Sequence, residues 1–328
     1  MKPLTRIFSI CAASMLLLAA GCTSTTGSTG PEPALTLYVA QVGGSTGNSV
    51  LEFPANGSGS ITPSNTVTMP AQTVPGALAV DTSGNLYVSA SKGAAPSIVY
   101  EVLVYALAAT GAATPTNTIT SSSFTAAISS IAVDSTGEVY ALSGNSISVF
   151  APGAAANAAP VRQITGSLTQ LNSASAIAVD AAQNIYVANT AAGNILVFSS
   201  IESGNIAPVS ILAGTLTSLG SPTGLAIDSS GDIYVATFNL PSNSSQLLEF
   251  SPGATGNVAP VNMLTAVASV AVAGVAVDVL DNMYVATAAS GQFAVDVFSA
   301  GESAGSAPTG TISSTAWTAA GYGQIAVR

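Results

Sequence analysis

Five aspartates stand at matched places along this 328-residue chain: Asp81, Asp134, Asp180, Asp228 and Asp278. Each is followed six residues later by a tyrosine, Tyr87, Tyr140, Tyr186, Tyr234 and Tyr284. Successive aspartates are 53, 46, 48 and 50 residues apart. A ring of carboxylates suggests ligands for a hard divalent cation. The flanking residues favour another use. Each Asp ends an apolar run and precedes a short polar turn, as in Ile177-Ala178-Val179-Asp180-Ala181-Ala182-Gln183-Asn184-Ile185-Tyr186. A carboxylate so placed accepts backbone N–H bonds from the turn, so it recurs because the turn recurs. We expect turn formers on one rim, not metal ligands.

Other reactive side chains are scarce. The chain has no His, which removes the commonest general base and every Ser/His or Cys/His nucleophile pair. Its two Cys, Cys11 and Cys22, lie near the N-terminus and offer the remaining sequence neither a disulfide nor a thiolate zinc site. Charged residues are 6% of the total and the net charge is −10. Beyond the leader only Lys92, Arg162 and Arg328 are basic. Three scattered cations make no phosphate-binding patch, so no nucleic acid partner is expected, and no attraction of the folded body to anionic lipid.

The elements that hold these residues are repetitive. After each Asp-turn-Tyr hairpin comes a third apolar run ending in an aromatic, as at Phe53, Tyr105, Phe150, Phe198, Phe250 and Phe298. A Pro-led segment follows, opened by Pro63, Pro115, Pro160, Pro208, Pro260 and Pro308. Proline cannot donate to a ladder, which suits the start of an outer edge strand. Four short strands per unit of roughly 49 residues mark a β-propeller blade. The repeat begins in mid-unit at Thr36-Leu37-Tyr38-Val39-Ala40 and stops in mid-unit at Gly323–Arg328. Joined, the two ends complete a sixth blade. The expected fold is therefore all-β, a six-bladed propeller of four-stranded antiparallel blades over 35–328, closed by exchange of N- and C-terminal strands.

Ligands of such a fold are sought on the rim opposite the aspartates, made by the loops between second and third strands and by the connections between blades. Those segments contain no Asp, Glu or His, and Lys92 is their one charge. Glu101 and Asp296 fall on third strands and are expected to face solvent. The rim does carry Ser, Thr, Asn and Gln with a few aromatics, a composition that suits a sugar or peptide. Candidate ligand-binding residues are Trp317, Tyr322, Phe124, Phe238, Asn189 and Lys92, with packing under the ring closure as the other reading of Trp317. No catalytic residue, metal or cofactor is expected.

Residues 1–21 have a basic start at Lys2 and Arg6, then an apolar segment from Ile7 to Ala20 that is short for a membrane span, the pattern of a secretory signal. Its end, Leu17-Leu18-Ala19-Ala20-Gly21-Cys22, resembles the lipobox of bacterial lipoproteins, which implies lipidation at Cys22. Residues 22–34, rich in Thr, Ser, Gly and Pro, read as a flexible tether. The Ile-Ala-Val-Asp, Asn-Ile-Tyr-Val-Ala and Ile-x-Val-Phe runs resemble NHL-type repeats, a resemblance that implies the six-bladed fold and leaves function open. Six-bladed lactonases of the gluconolactonase/regucalcin type use carboxylates and Asn around an axial metal, and the amidating and streptogramin lyases use His. Neither set is present on this rim. The expectation is accordingly a non-enzymatic lipoprotein of the cell envelope, a monomer anchored through its lipid, that binds a glycan, a cell-wall fragment or an envelope protein. The alternatives are a metal-dependent lactonase- or lyase-like hydrolase with an atypical site, and a structural surface spacer.

Overall fold

Each apolar run of the repeat becomes a strand. The structure, a computed structural model, describes residues 35–43, 47–239, 244–265, 271–289, 292–302, 305–317 and 322–328. The expected leader, the tether and Cys22 lie outside the described residues.

The strands sort into six antiparallel sheets. Blade 1 is Thr73–Val80, Leu86–Lys92, Val99–Tyr105 and Asn117–Thr120. Blade 2 is Ile128–Val133, Val139–Ser143, Ser146–Phe150 and Arg162–Thr165. Blade 3 is Ala174–Val179, Ile185–Asn189, Asn194–Phe198 and Ser210–Leu212. Blade 4 is Ser221–Ile227, Ile233–Asn239, Ser244–Phe250 and Asn262–Thr265. Blade 5 is Ala271–Val277, Met283–Ala289, Gln292–Phe298 and Gly310–Ser313, extended by the pair Gly59–Ser60. Blade 6 takes its inner strand, Tyr322–Val327, from the C-terminal end and its other three, Thr36–Gln41, Ser49–Pro54 and Asn65–Thr68, from the N-terminal part. The closing pair runs antiparallel, with Leu37 opposite Val327 and Val39 opposite Ile325.

Both faces of every blade are apolar because both are covered. Six apolar clusters form, one at each junction between blades. Tyr105, Tyr140, Phe53, Phe150, Phe198 and Phe250 are among the largest fully buried side chains. The alanines at the middle of the inner strands, Ala79, Ala132, Ala178, Ala226, Ala276 and Ala326, line an axial channel of about 200 Å³. Around the outside, a loop of one blade touches the outer strand of the blade before it. Gly111 bridges to Val67, Gly204 to Ile164 and Gly256 to Leu212, all parallel. No helix among the described residues is long and apolar enough to cross a membrane.

The aspartates explain the repeat spacing. In blade 3, Asp180 Oδ1 accepts from Ala182 N (2.9 Å) and Asn184 N (2.8 Å), while Oδ2 accepts from Asn184 Nδ2 (2.8 Å) and the Tyr186 hydroxyl (3.4 Å). The backbone bonds recur at Asp81, Asp134, Asp228 and Asp278, and a tyrosine hydroxyl donates to each. The third residue after the Asp is left-handed. It is Gly84, Gly137 and Gly231 in three blades, and Gln183 and Asp281 in the other two. A side chain there carries a backbone cost of roughly 1 kcal/mol. Both non-glycine residues make a bond to the preceding blade in return. Gln183 Nε2 donates to Asp134 Oδ2 at 2.7 Å, and Asp281 accepts from Ser229 N and Oγ at 3.1 and 3.0 Å.

Candidate functional site

At the opposite rim, hydroxyls stitch inner strands together. Ser89 Oγ accepts from Ala77 N (2.7 Å) and donates to Ile128 O (3.1 Å), joining blades 1 and 2. Ser130 Oγ accepts from Ile177 N (3.1 Å), joining blades 2 and 3. Ser175 and Thr190 both donate to Pro222 O, at 3.0 and 2.6 Å, joining blades 3 and 4. The residue three past the repeat tyrosine on the second strand holds the incoming connection in blades 2 and 4. Ser143 Oγ bonds Ala126 O and N, and Thr237 Oγ1 accepts from Gly220 N. Much of the polarity read from sequence as ligand-seeking is thus engaged in closing seams.

The predicted ligand residues are spread around the ring and not gathered. Asn189 is fully buried. Its Oδ1 accepts from Asn172 N (2.6 Å), and its Nδ2 donates to Gln170 O (3.0 Å) and Asn194 Oδ1 (2.9 Å). Phe124 is buried edge-on against Phe150, with centroids 5.3 Å apart. Trp317 stands at the matching place before blade 6, edge-on to Phe53 (5.1 Å) and Phe293 (4.8 Å). Its indole Nε1 is buried without a partner among the described residues. Phe238 is half-buried on the second strand of blade 4, and Lys92 is exposed at the end of the second strand of blade 1. Tyr322 opens the closing strand, opposite Gln41. Its side chain lies outside the description.

One strand carboxylate departs from expectation. Glu101 does not face solvent: it is 6% exposed, on the face of blade 1 that packs on blade 6. Its partner across the second strand is Ala90, and Lys92 follows two residues on, on the same face. The position opposite it is the small Ala90, where blades 2 to 4 carry Ser143, Asn189 and Thr237. Burial pushes the Glu101 carboxyl up, with the Lys92 charge pulling the other way. Below it the Tyr105 hydroxyl is buried without a partner among the described residues and pushed up to about 12, first by burial and then by the Glu101 charge. Sequence held one signal for this. In the other blades the matching third-strand positions are Ser49, Ser146, Asn194, Gln246 and Ala294, none of them charged. Asp296 also departs. It is half-buried in a cavity of about 220 Å³ between blades 4 and 5, with Oδ1 accepting from Thr311 Oγ1 at 2.7 Å.

A six-bladed propeller with an axial channel is a scaffold of many activities. The family is more specific. Residues 62–289 match the SMP-30/gluconolactonase/LRE-like region, and the chain belongs to that family. Solved structures agree in fold. A Bacteroides caccae protein of unknown function superposes with a TM-score of 0.60 at 12% identity, over 90% of this chain and 99% of that one. The periplasmic gluconolactonase of Pseudomonas aeruginosa gives 0.55 at 13% identity, over 81% and 78%. A candidate 6-phosphogluconolactonase from Bacteroides uniformis gives 0.51 at 18% identity, over 84% and 82%. Among curated proteins, no sequence matches this chain.

The family match overturns the expectation of a non-enzymatic binding or scaffolding protein and points to a lactonase-type propeller hydrolase. That expectation leaned on charge-free loops, and loops are not the whole rim: strand residues such as Glu101 also reach that end of the blades. A metal of the kind lactonases of this type hold finds no ligand set here. Among the described residues no three His, Cys, Asp or Glu come together. The channel walls nearest the ligand rim offer Ser130, Gly224 and Gln324, and Ser130 Oγ is already bonded. The rim residues outside the description contain no Asp, Glu, His or Cys. The residues present do not fit an axial divalent cation.

Proposed function

We propose that this protein is a hydrolase of the lactonase type, opening a cyclic ester, such as a sugar lactone, to the hydroxy acid. Membership of the SMP-30/gluconolactonase/LRE-like family carries this reading. The fold supports it, since a six-bladed ring around an axial channel offers the concave kind of surface on which small molecules bind. The test is pH-stat titration of the purified full chain against a panel of γ- and δ-lactones of aldonic acids. Catalysed acid release above the spontaneous rate for at least one member is expected; spontaneous rates across the whole panel would overturn the reading.

We also propose that the protein is an exported lipoprotein of the cell envelope, with residues 1–21 as signal and 22–34 as tether, carrying a repeat of NHL type. The run Leu17–Cys22 supports lipidation at Cys22. Cys22→Ser is expected to shift the protein from the membrane to the soluble fraction, checked by fractionation. Membrane association unchanged by the substitution argues against the anchor.

A further inference from the structure

The seam between blades 4 and 5 breaks the repeat twice. On the third strand, the residues opposite Val39, Val88, Val187 and Val235 are Leu51, Leu103, Leu196 and Leu248, in blades 6, 1, 3 and 4. Each of these leucines is buried in the apolar cluster of its seam. Blade 2 has the smaller, fully buried Ser148 at this place, and blade 5 has Asp296, opposite Val285. The connection to the outer strand departs at the same seam. Two residues before its proline stand Ile61, Ala113, Ala158 and Ile206, which pack against the clusters of their seams. Blade 4 keeps an apolar Val258, and blade 5 has Ser306, ahead of Pro308. Where these two apolar plugs are replaced, a cavity of about 220 Å³ is present, lined by Leu247, Leu264, Thr287 and Phe298 besides Asp296 and Ser306. An unfilled cavity and a half-buried carboxylate both lower stability, so packing calls for neither.

We propose that the cavity between blades 4 and 5 is a binding site for a small organic ammonium ion, its charge paired with Asp296 and its apolar body against Leu247, Leu264 and Phe298. Asp296 Oδ1 accepts from Thr311 Oγ1 at 2.7 Å, and no other hydrogen bond to this carboxylate is seen among the described residues. No Lys or Arg lines the cavity, and the described residues show only Arg162–Glu138 as an ion pair. The carboxylate charge is thus left for a ligand to balance. Phe298 adds an aromatic ring, to which ammonium groups are attracted, and the leucines suit an alkyl or aryl body. A divalent metal fits less well. It takes several oxygen ligands, and among the described residues no three His, Cys, Asp or Glu come together. The volume lies below the roughly 300–1,000 Å³ of drug-sized sites, which limits the ligand to a small molecule. A net charge of −10 draws cations toward the protein. The proposal goes beyond the lactonase reading and does not depend on it.

The experiment is calorimetric titration of the full chain with methylammonium, butylammonium and benzylammonium chlorides, at about 0.15 M salt so that exposed charges are screened. Saturable one-to-one binding of at least one of them is expected. The neutral counterpart (methanol, butanol or benzyl alcohol) is expected to bind weaker by about tenfold or more. Asp296→Asn keeps an acceptor for Thr311 and is expected to weaken the ammonium ion by a similar factor, with Tm nearly unchanged. Asp296→Leu, which restores the residue of four other blades, is expected to fill the cavity and abolish binding, and serves if Asp296→Asn does not fold. No saturable binding of any of the three ions, an alcohol that binds as tightly as its ammonium counterpart, or undiminished binding in either variant overturns the proposal. Lactone opening is read separately by pH-stat, so failure of one reading leaves the other standing.

Discussion

Asp134 receives five hydrogen bonds, from Thr136 N and Oγ1, Glu138 N, the Tyr140 hydroxyl and Gln183 Nε2. Burial acts to raise its pKa, yet the bonds from Thr136, Glu138 and Tyr140 outweigh burial and hold it below the ordinary aspartate value. A carboxyl lowered by folding contributes stability above its unfolded pKa, near 3.9, and loses it as pH falls through the folded value. Asp134→Asn replaces an acceptor with a donor facing Tyr140 and Gln183. We expect a loss of about 2–3 kcal/mol at pH 7, shrinking below about pH 4, read from urea midpoints at the two pH values. An equal loss at both would mean that charge is not what these donors recognise. At this scale the sequence was informative about turns: a fixed Asp-to-Tyr interval is a hydrogen-bond length written in residues. It marked Glu101 only as the one charge in its column and did not show its burial, because whether a strand residue faces water or a neighbouring blade depends on a packing partner some sixty residues away.

At the scale of elements, the inner strand Tyr322–Val327 differs from its five sisters because its hairpin partner, Thr36–Gln41, lies at the far end of the chain. Its backbone is tied at the edge by Thr36 N to Arg328 O (3.2 Å) and Arg328 N to Thr36 O (3.0 Å). Ile325 and Ala326 enter the apolar layers on either side of blade 6. Deleting residues 322–328 removes one fully apolar anchor worth about 2–3 kcal/mol and uncovers the edge of a central strand. A fall in Tm on the order of 5–10 °C or more is expected by calorimetry. A truncated chain that melts with the parent would show that the ring is held by its other junctions. This closure was legible in sequence, since two half-units at opposite ends fit one template. The role of the connection aromatics was not. Phe124 reads as a rim residue and Trp317 as a rim residue or as packing under the ring closure, and each lies where two blades diverge and an apolar side chain fills the gap.

Over the whole molecule, charge is divided between the two ends of the axis. The repeated aspartates, with Glu138, Asp232 and Asp281, belong to the hairpin turns of one rim, while the opposite rim carries Lys92 and the sheltered Glu101. Asp232 is pushed up first by burial and then by the charges of Asp228 and Asp281. Fold class followed from periodicity, because a repeat that cannot cover its own faces must stack. Chemistry did not follow, because family kinship survives where the motif residues of a site have been replaced.

The shared sixth blade also sets a clock on synthesis. Thr36–Gln41 leaves the ribosome roughly 285 residues ahead of its mate, Tyr322–Val327. At about 5–20 residues per second the interval between them is roughly 15–60 s. Throughout that time five blades can assemble while the first strand keeps an open edge. Ring closure is then a single late event that joins two strands separated by nearly the whole propeller. Any factor that keeps the nascent chain from aggregating must guard that one edge until residues 322–327 arrive.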